Sequence, residues 1–138
     1  MQDFQVDPAG RKIYIADLGV LAKKPAIIVY DIETKTARRV LERDPSVTDK
    51  PYLINAKGHK MILFGGSYNL HPALDSITLD KQGEWLYYGP MSHEDMFRMR
   101  AADLNNPDLT GAELSQRVDR FGPKVQSDGL SMDMEGNI

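Results

Sequence analysis

Gln2, Asp75 and Asp128 each stand five positions before another aspartate: Asp7, Asp80 and Asp133 respectively. A shared offset places three oxygen-bearing side chains at matching points of three local structures. A ring of such oxygens is what a hard cation such as Ca²⁺ binds. Carboxylates gathered in one place also perturb each other's proton affinity, as acid–base chemistry requires. The same residues fit a plain structural role, because Asp and its relatives cap the start of turns and strands. Spacing alone leaves both readings open. Asp75 and Asp128 are the candidate metal ligands, with Ca²⁺ the expected ion, and Gln2 and His71 join them as candidate ligand-binding residues. His71 precedes Pro72 on the approach to an apolar segment, where it either faces the site or sits in an ordinary loop.

The other polar candidates carry less. His93, in Ser92-His93-Glu94-Asp95, reads as a solvated turn residue, and His59, in Lys57-Gly58-His59-Lys60, as a loop residue. No two histidines have zinc-ligand spacing. Gly65-Gly66-Ser67 lacks the lysine and the following helix of a phosphate loop and reads as a tight bend. No nucleophile elbow, kinase signature or dinucleotide fingerprint occurs. Trp85, Tyr87 and Tyr88 fit strand propensity and sheet packing.

The elements that must position these residues are strands. Val6-Asp7-Pro8-Ala9-Gly10, Leu79-Asp80-Lys81-Gln82-Gly83 and Met132-Asp133-Met134-Glu135-Gly136 share one pattern, with an apolar or polar strand residue soon after each. In such a turn Asp caps the backbone and Gly supplies a positive φ, so a strand comes in and a strand returns. Three in register indicate a repeated hairpin. The intervals between them suit four-stranded units of about 40 to 50 residues with long loops, which is the unit of a β-propeller. Expected strands lie at 3–6, 12–16, 26–31 and 36–41, then at 75–79, 84–88 and 95–100. Ala26-Ile27-Ile28-Val29-Tyr30 is apolar without alternation, as in a sheet covered on both faces. Residues 42–60 read as loop, broken by Pro45, Pro51 and Gly58. One short inserted helix starts at the capping box Thr110-Gly111-Ala112-Glu113, carries Leu114, Val118 and Phe121 on one face, and stops at Gly122-Pro123. Arg117 and Arg120 fall near its expected end, where they complement the helix dipole.

The expected fold class is therefore all-β: a β-propeller fragment of about two and a half blades, with residues 1–138 a partial domain truncated at both ends. A propeller cut open leaves blade faces uncovered, and Ile27, Ile28, Val29, Leu86 and Met132 are the expected exposed apolar residues.

Composition excludes several partners. The 17 basic and 20 acidic residues are mixed along the chain, so no basic stripe is available for nucleic acid or an anionic membrane. There are no cysteines, which removes disulfides and zinc–thiolate sites. No apolar run approaches a membrane span, and Met1-Gln2-Asp3-Phe4 does not begin a signal peptide. The expected partner is a small molecule.

Several stretches carry a family resemblance. Phe4-Gln5-Val6-Asp7 with Ile13-Tyr14-Ile15-Ala16-Asp17, and Ile28-Val29-Tyr30-Asp31 with Ala37-Arg38-Arg39-Val40-Leu41, resemble the yellow / major royal jelly protein family. So do the stretch from Gly83 to Met91 and the segment Ser127-Asp128-Gly129-Leu130-Ser131-Met132-Asp133, with bacterial members most similar in flavour. The resemblance implies a six-bladed propeller in a longer, exported chain, extracellular or periplasmic. It also implies a distant similarity to calcium-dependent gluconolactonase propellers, whose metal is held by a Glu, two Asn and an Asp at the channel mouth. Matched motif by motif, Gln2 falls at one Asn, Asp75 at the other and Asp128 at the Asp, so two of these three depart from the lactonase pattern. Two functions follow as expectations: small-ligand binding at the central channel, or a calcium-dependent lactone hydrolase.

Overall fold

The computed structural model describes residues 2–19, 21–66, 68–69 and 71–138. Strands β1 (Phe4–Val6), β2 (Lys12–Asp17), β3 (Ala26–Asp31) and β4 (Thr36–Val40) form a four-stranded antiparallel sheet in chain order. Two short hairpins follow, β5 (Asn55–Ala56) with β6 (His59–Lys60) and β7 (Ile62–Leu63) with β8 (Tyr68–Asn69). A second four-stranded antiparallel sheet contains β9 (Leu74–Leu79), β10 (Trp85–Pro90) and β11 (Asp95–Arg100). After the helices α1 (Ala101–Asn105) and α2 (Gly111–Gln116), β12 (Asp119–Pro123) completes it. The architecture is all-β.

The Asp-x-x-Gly turns set both sheets. Asp7 Oδ1 accepts from the backbone N–H groups of Arg11 and Lys12, and Asp80 Oδ1 from that of Glu84. In each turn the Gly N–H donates to the Asp carbonyl, Gly10 to Asp7 at 2.9 Å and Gly83 to Asp80 at 3.0 Å. Both glycines adopt positive φ, 66° and 72°, as this turn demands. The turn at Asp133 has the same bonds, with Gly136 donating back to it, but residues 124–138 contain no strand. The third hairpin expected there is not formed.

The two sheets pack face to face through alternating residues. Tyr14 and Ala16 of β2 stand opposite Val29 and Ile27 of β3, and this face buries against Ile77, Leu86, Tyr88 and Met99 of the second sheet. Ile27, Val29 and Leu86 are therefore core, contrary to the expectation that they lie open. The period-two alternation hidden in the apolar run explains it: Ile28 and Tyr30 point the other way and are only half-buried. Residues 42–54 carry no strand or helix, as expected of a loop, but Val47 and Ile54 are buried and the β5–β6 hairpin forms at the end of the stretch.

The helix is shorter than expected. The Thr110–Glu113 capping box forms with reciprocal bonds, yet α2 stops at Gln116 with Arg117 as its C-cap. Phe121 lies on β12, not on the helix, and Arg120 pairs with Asp95 across the sheet. Leu114, Val118 and Phe121 fit a helical period, but pairing residues 119–123 to β11 satisfies that strand's free backbone edge and adds the Arg98–Asp119 ion pair. Pro123 is tolerated because β12 is at the sheet edge.

Candidate functional site

Antiparallel order brings several connections to one end of the sheets. Gln2 precedes β1, its N–H donating to the Ala16 carbonyl at 3.1 Å, so it lies beside the end of β2. The second sheet offers the start of β9 and the end of β10 at the same place, where Met91 and Ser92 donate to the Ala73 and Pro72 carbonyls. Between them is a cavity of about 430 Å³ lined by Gln2, His71, Asp75 and Asp128. Leu18, Pro25, Met61, Pro72 and Met91 give it an apolar lining, and Lys23 and Asp49 add one charge of each sign.

Asp75 owes its position to an irregularity of the sheet. Gly89 pairs with Ser76, but the next residue, Pro90, pairs with Leu74, so the register shift falls on Asp75. A bulge of this kind re-aims one side chain and is common beside functional sites. It also lets both Leu74 and Ile77 enter the core, which strict alternation forbids. Pro90 lacks an N–H and loses nothing at such a point.

Asp75 is only 3% exposed. Its carboxyl is raised to about 7, by burial first and then by hydrogen bonding to and repulsion from the Asp128 carboxyl, while the Gln2 side chain pulls the other way. Three of the sequence-derived candidates thus interact directly. They are not equivalent in the fold: Gln2 lies just before β1 and Asp75 is the second residue of β9, whereas Asp128 sits in a stretch without regular structure. His71 lines the same cavity, and its Nδ1 is buried without a hydrogen-bond partner among the described residues. The Oγ atoms of Ser92 and Ser127, next in sequence to the lining residues Met91 and Asp128, are likewise buried and unpartnered. Orphaned buried polar atoms of this kind cost about 1–3 kcal/mol each unless something binds them.

The remaining candidates lie elsewhere. His93 is 4% exposed, not solvated: its Nδ1 accepts from the Asp95 N–H, its ring meets Phe97 edge-on at 5.3 Å, and burial holds its proton affinity below the ordinary value. His59 is exposed on β6. Gly65 turns at φ 65° within a 3₁₀ segment, as a tight bend requires, while Ser67 lies outside the described residues. The guanidinium groups of Arg98 and Arg100 each lie over the Trp85 ring, 4.4 Å from its centroid, and Trp85 does not line the cavity. The sequence reading missed the apolar lining. Met61 and Met91 lie in connections, where no periodicity marks an inward-facing side chain.

A model of the family described as Major royal jelly protein matches residues 2–138. No curated protein matches the chain at the level of sequence similarity.

Proposed function

The chain belongs to the major royal jelly protein family, and from that premise we propose that its two sheets are successive blades of a β-propeller whose channel mouth binds a small organic cation. The carrying observation is the buried Asp75 carboxyl set against Asp128 inside a cavity with apolar walls. Two carboxylates in such a place are stabilised by a positive charge between them, and the proton that Asp75 otherwise retains near neutrality is the simplest one. An ammonium group replaces that proton while Leu18, Pro25, Met61, Pro72 and Met91 cover its apolar body. The unpartnered His71 Nδ1 and Ser127 Oγ offer hydrogen bonds to a hydroxyl on the ligand. The test is calorimetric titration with phenethylamine and with its neutral counterpart phenylethanol. The amine binds and the alcohol does not, and Asp75→Asn removes amine binding. Equal binding of both overturns the reading.

The same carboxylate pair supports a second reading, a calcium-dependent lactone hydrolase. Asp75 and Asp128 would supply carboxylate oxygens and Gln2 a carbonyl oxygen, leaving most of a shell of six to eight ligands to water and substrate. Among the described residues no cluster of three or more His, Cys, Asp and Glu side chains is placed to hold a metal, so the fit is partial. Bound calcium would polarise a lactone carbonyl. Lactone hydrolysis that requires Ca²⁺ and stops with chelator selects this reading over simple binding.

A further inference from the structure

His71 lines the cavity, and its Nδ1 is buried with no hydrogen-bond partner among the described residues. Two methionines line the same cavity. The Met91 N–H donates to the Ala73 carbonyl and the Ser92 N–H to the Pro72 carbonyl, each at 3.0 Å, so the chain at 91–92 runs alongside the chain at 71–73. His71, Ala73 and Met91 all face the cavity, with Ala73 between the two longer side chains. Diagonal neighbours on paired chains stand about 7–8 Å apart, which long side chains bridge. Met61 reaches the cavity from the connection between β6 and β7, where its N–H donates to the Ile54 carbonyl at 2.9 Å. The chain contains no cysteine, so thioethers and imidazoles are its softest donors.

We propose that His71, Met91 and Met61 form a soft-metal site in the cavity wall, which takes Cu(I) through the His71 Nδ1 and the two thioether sulfurs. The donor set selects the ion. Ca²⁺ and Mg²⁺ take oxygen ligands, and zinc sites are built from Cys, His and carboxylates. Thioether sulfur suits Cu(I), and neutral imidazole binds copper through either ring nitrogen. An orphaned buried nitrogen weakens the fold unless something binds it, and a metal ion does so. Leu18, Pro25 and Pro72 line the same cavity and limit the access of water to the ion. The three donors are neutral, so the inference does not rest on cation binding at Asp75 and Asp128.

The test titrates the full chain with Cu(I) under anaerobic conditions, in competition with bicinchoninate and with no amine present. Met61→Leu, Met91→Leu and His71→Gln are titrated alongside it. The wild type takes Cu(I) from the competitor, and each variant binds it at least about tenfold more weakly, since losing even an outer partner of a metal ligand costs about 10–100-fold. Leucine keeps the volume of methionine, so the cavity survives the change. Methionine-methyl NMR spectra of the wild type with Ag(I), a redox-inert analogue, give a second readout: the Met61 and Met91 signals move and those of the other methionines stay. Equal Cu(I) affinity in wild type and the methionine variants, including no binding in any, overturns the site. A His71→Gln variant that binds as tightly as wild type also overturns it, because the site is built on Nδ1. Should a variant fail to fold, the Ag(I) spectra decide, and unmoved Met61 and Met91 signals overturn the proposal. Phenethylamine binding is read in a separate titration, so failure of either reading leaves the other standing.

Discussion

Asp75 holds its proton to about 7, against an ordinary value of 3.8, because it is buried and faces Asp128. Between those two pH values the folded protein retains a proton that the unfolded chain has released, so stability falls as pH rises through that window. Above it the folded state carries the full cost of a buried carboxylate. Asp75→Asn removes that cost, and the variant is expected to be more stable than wild type by on the order of 2 kcal/mol at pH 8. The advantage fades toward pH 4, where both carry a neutral side chain. Thermal unfolding of the two proteins from pH 4 to pH 8 checks this, and parallel curves would mean that Asp75 is solvated. Ligand binding has the opposite pH dependence. An ammonium competes with the proton on Asp75, so phenethylamine affinity drops by about tenfold per pH unit below about 7. Affinity that is flat from pH 5 to pH 8 removes Asp75 from the site.

The turns show how elements lock the two sheets together. Gly83, in the turn between β9 and β10, lies against Pro8 of the turn between β1 and β2; a Cβ there would be 2.6 Å from Pro8 Cδ. Gly10 has the same positive φ but open space around it. Gly10→Ala therefore measures the backbone cost alone, about 1 kcal/mol, and Gly83→Ala adds the collision between turns, bringing it to roughly 2–3 kcal/mol. Chemical denaturation of both variants checks the difference, and equal losses mean that the turns do not bear on each other. These turns were legible in the sequence because Asp and Gly act locally, through bonds within five residues. A common offset from matching turns also places Gln2 and Asp75 at one end of the sheets, whereas Asp128 reaches the same cavity from a stretch without a strand. The bulge at Asp75 was not legible, because a register shift depends on the partner strand. Nor was β12: Leu114, Val118 and Phe121 satisfy a helical period, and only the unpaired edge of β11 makes a strand the better use of residues 119–123.

At the scale of the molecule the two sheets differ in what covers their outer faces. On the second sheet Arg98 and Arg100 lie over the Trp85 ring, Arg98 also lies over Phe121 at 5.1 Å, and Phe121 meets Tyr87 edge-on at 4.9 Å. Guanidinium groups and their stems shield this apolar surface from water. On the first sheet Arg39 stands opposite Ile28 and is ion-paired with Asp17, and among the described residues no guanidinium lies over an aromatic ring of that face. Phe4 pairs with Ile15 and Val6 with Ile13, and these residues share a face with Ile28 and Tyr30. Phe4 is 52% exposed and Val6 46%, and the other four are half-buried. A contiguous apolar face of this kind invites association or packing against another element. The chain is therefore expected to enhance the fluorescence of a dye that brightens on apolar surfaces, and to self-associate as its concentration rises. The double variant Phe4→Lys, Val6→Lys places two charges on the edge strand of that face and should lower both signals at least about twofold with little loss of stability, since neither residue is in the core. Trp85→Ala is the control on the other sheet: it removes a ring that the arginines already cover, so the dye signal should not fall. If the lysine pair leaves dye binding and association unchanged, the exposed surface lies elsewhere, and the outer face of the first sheet is shielded in solution.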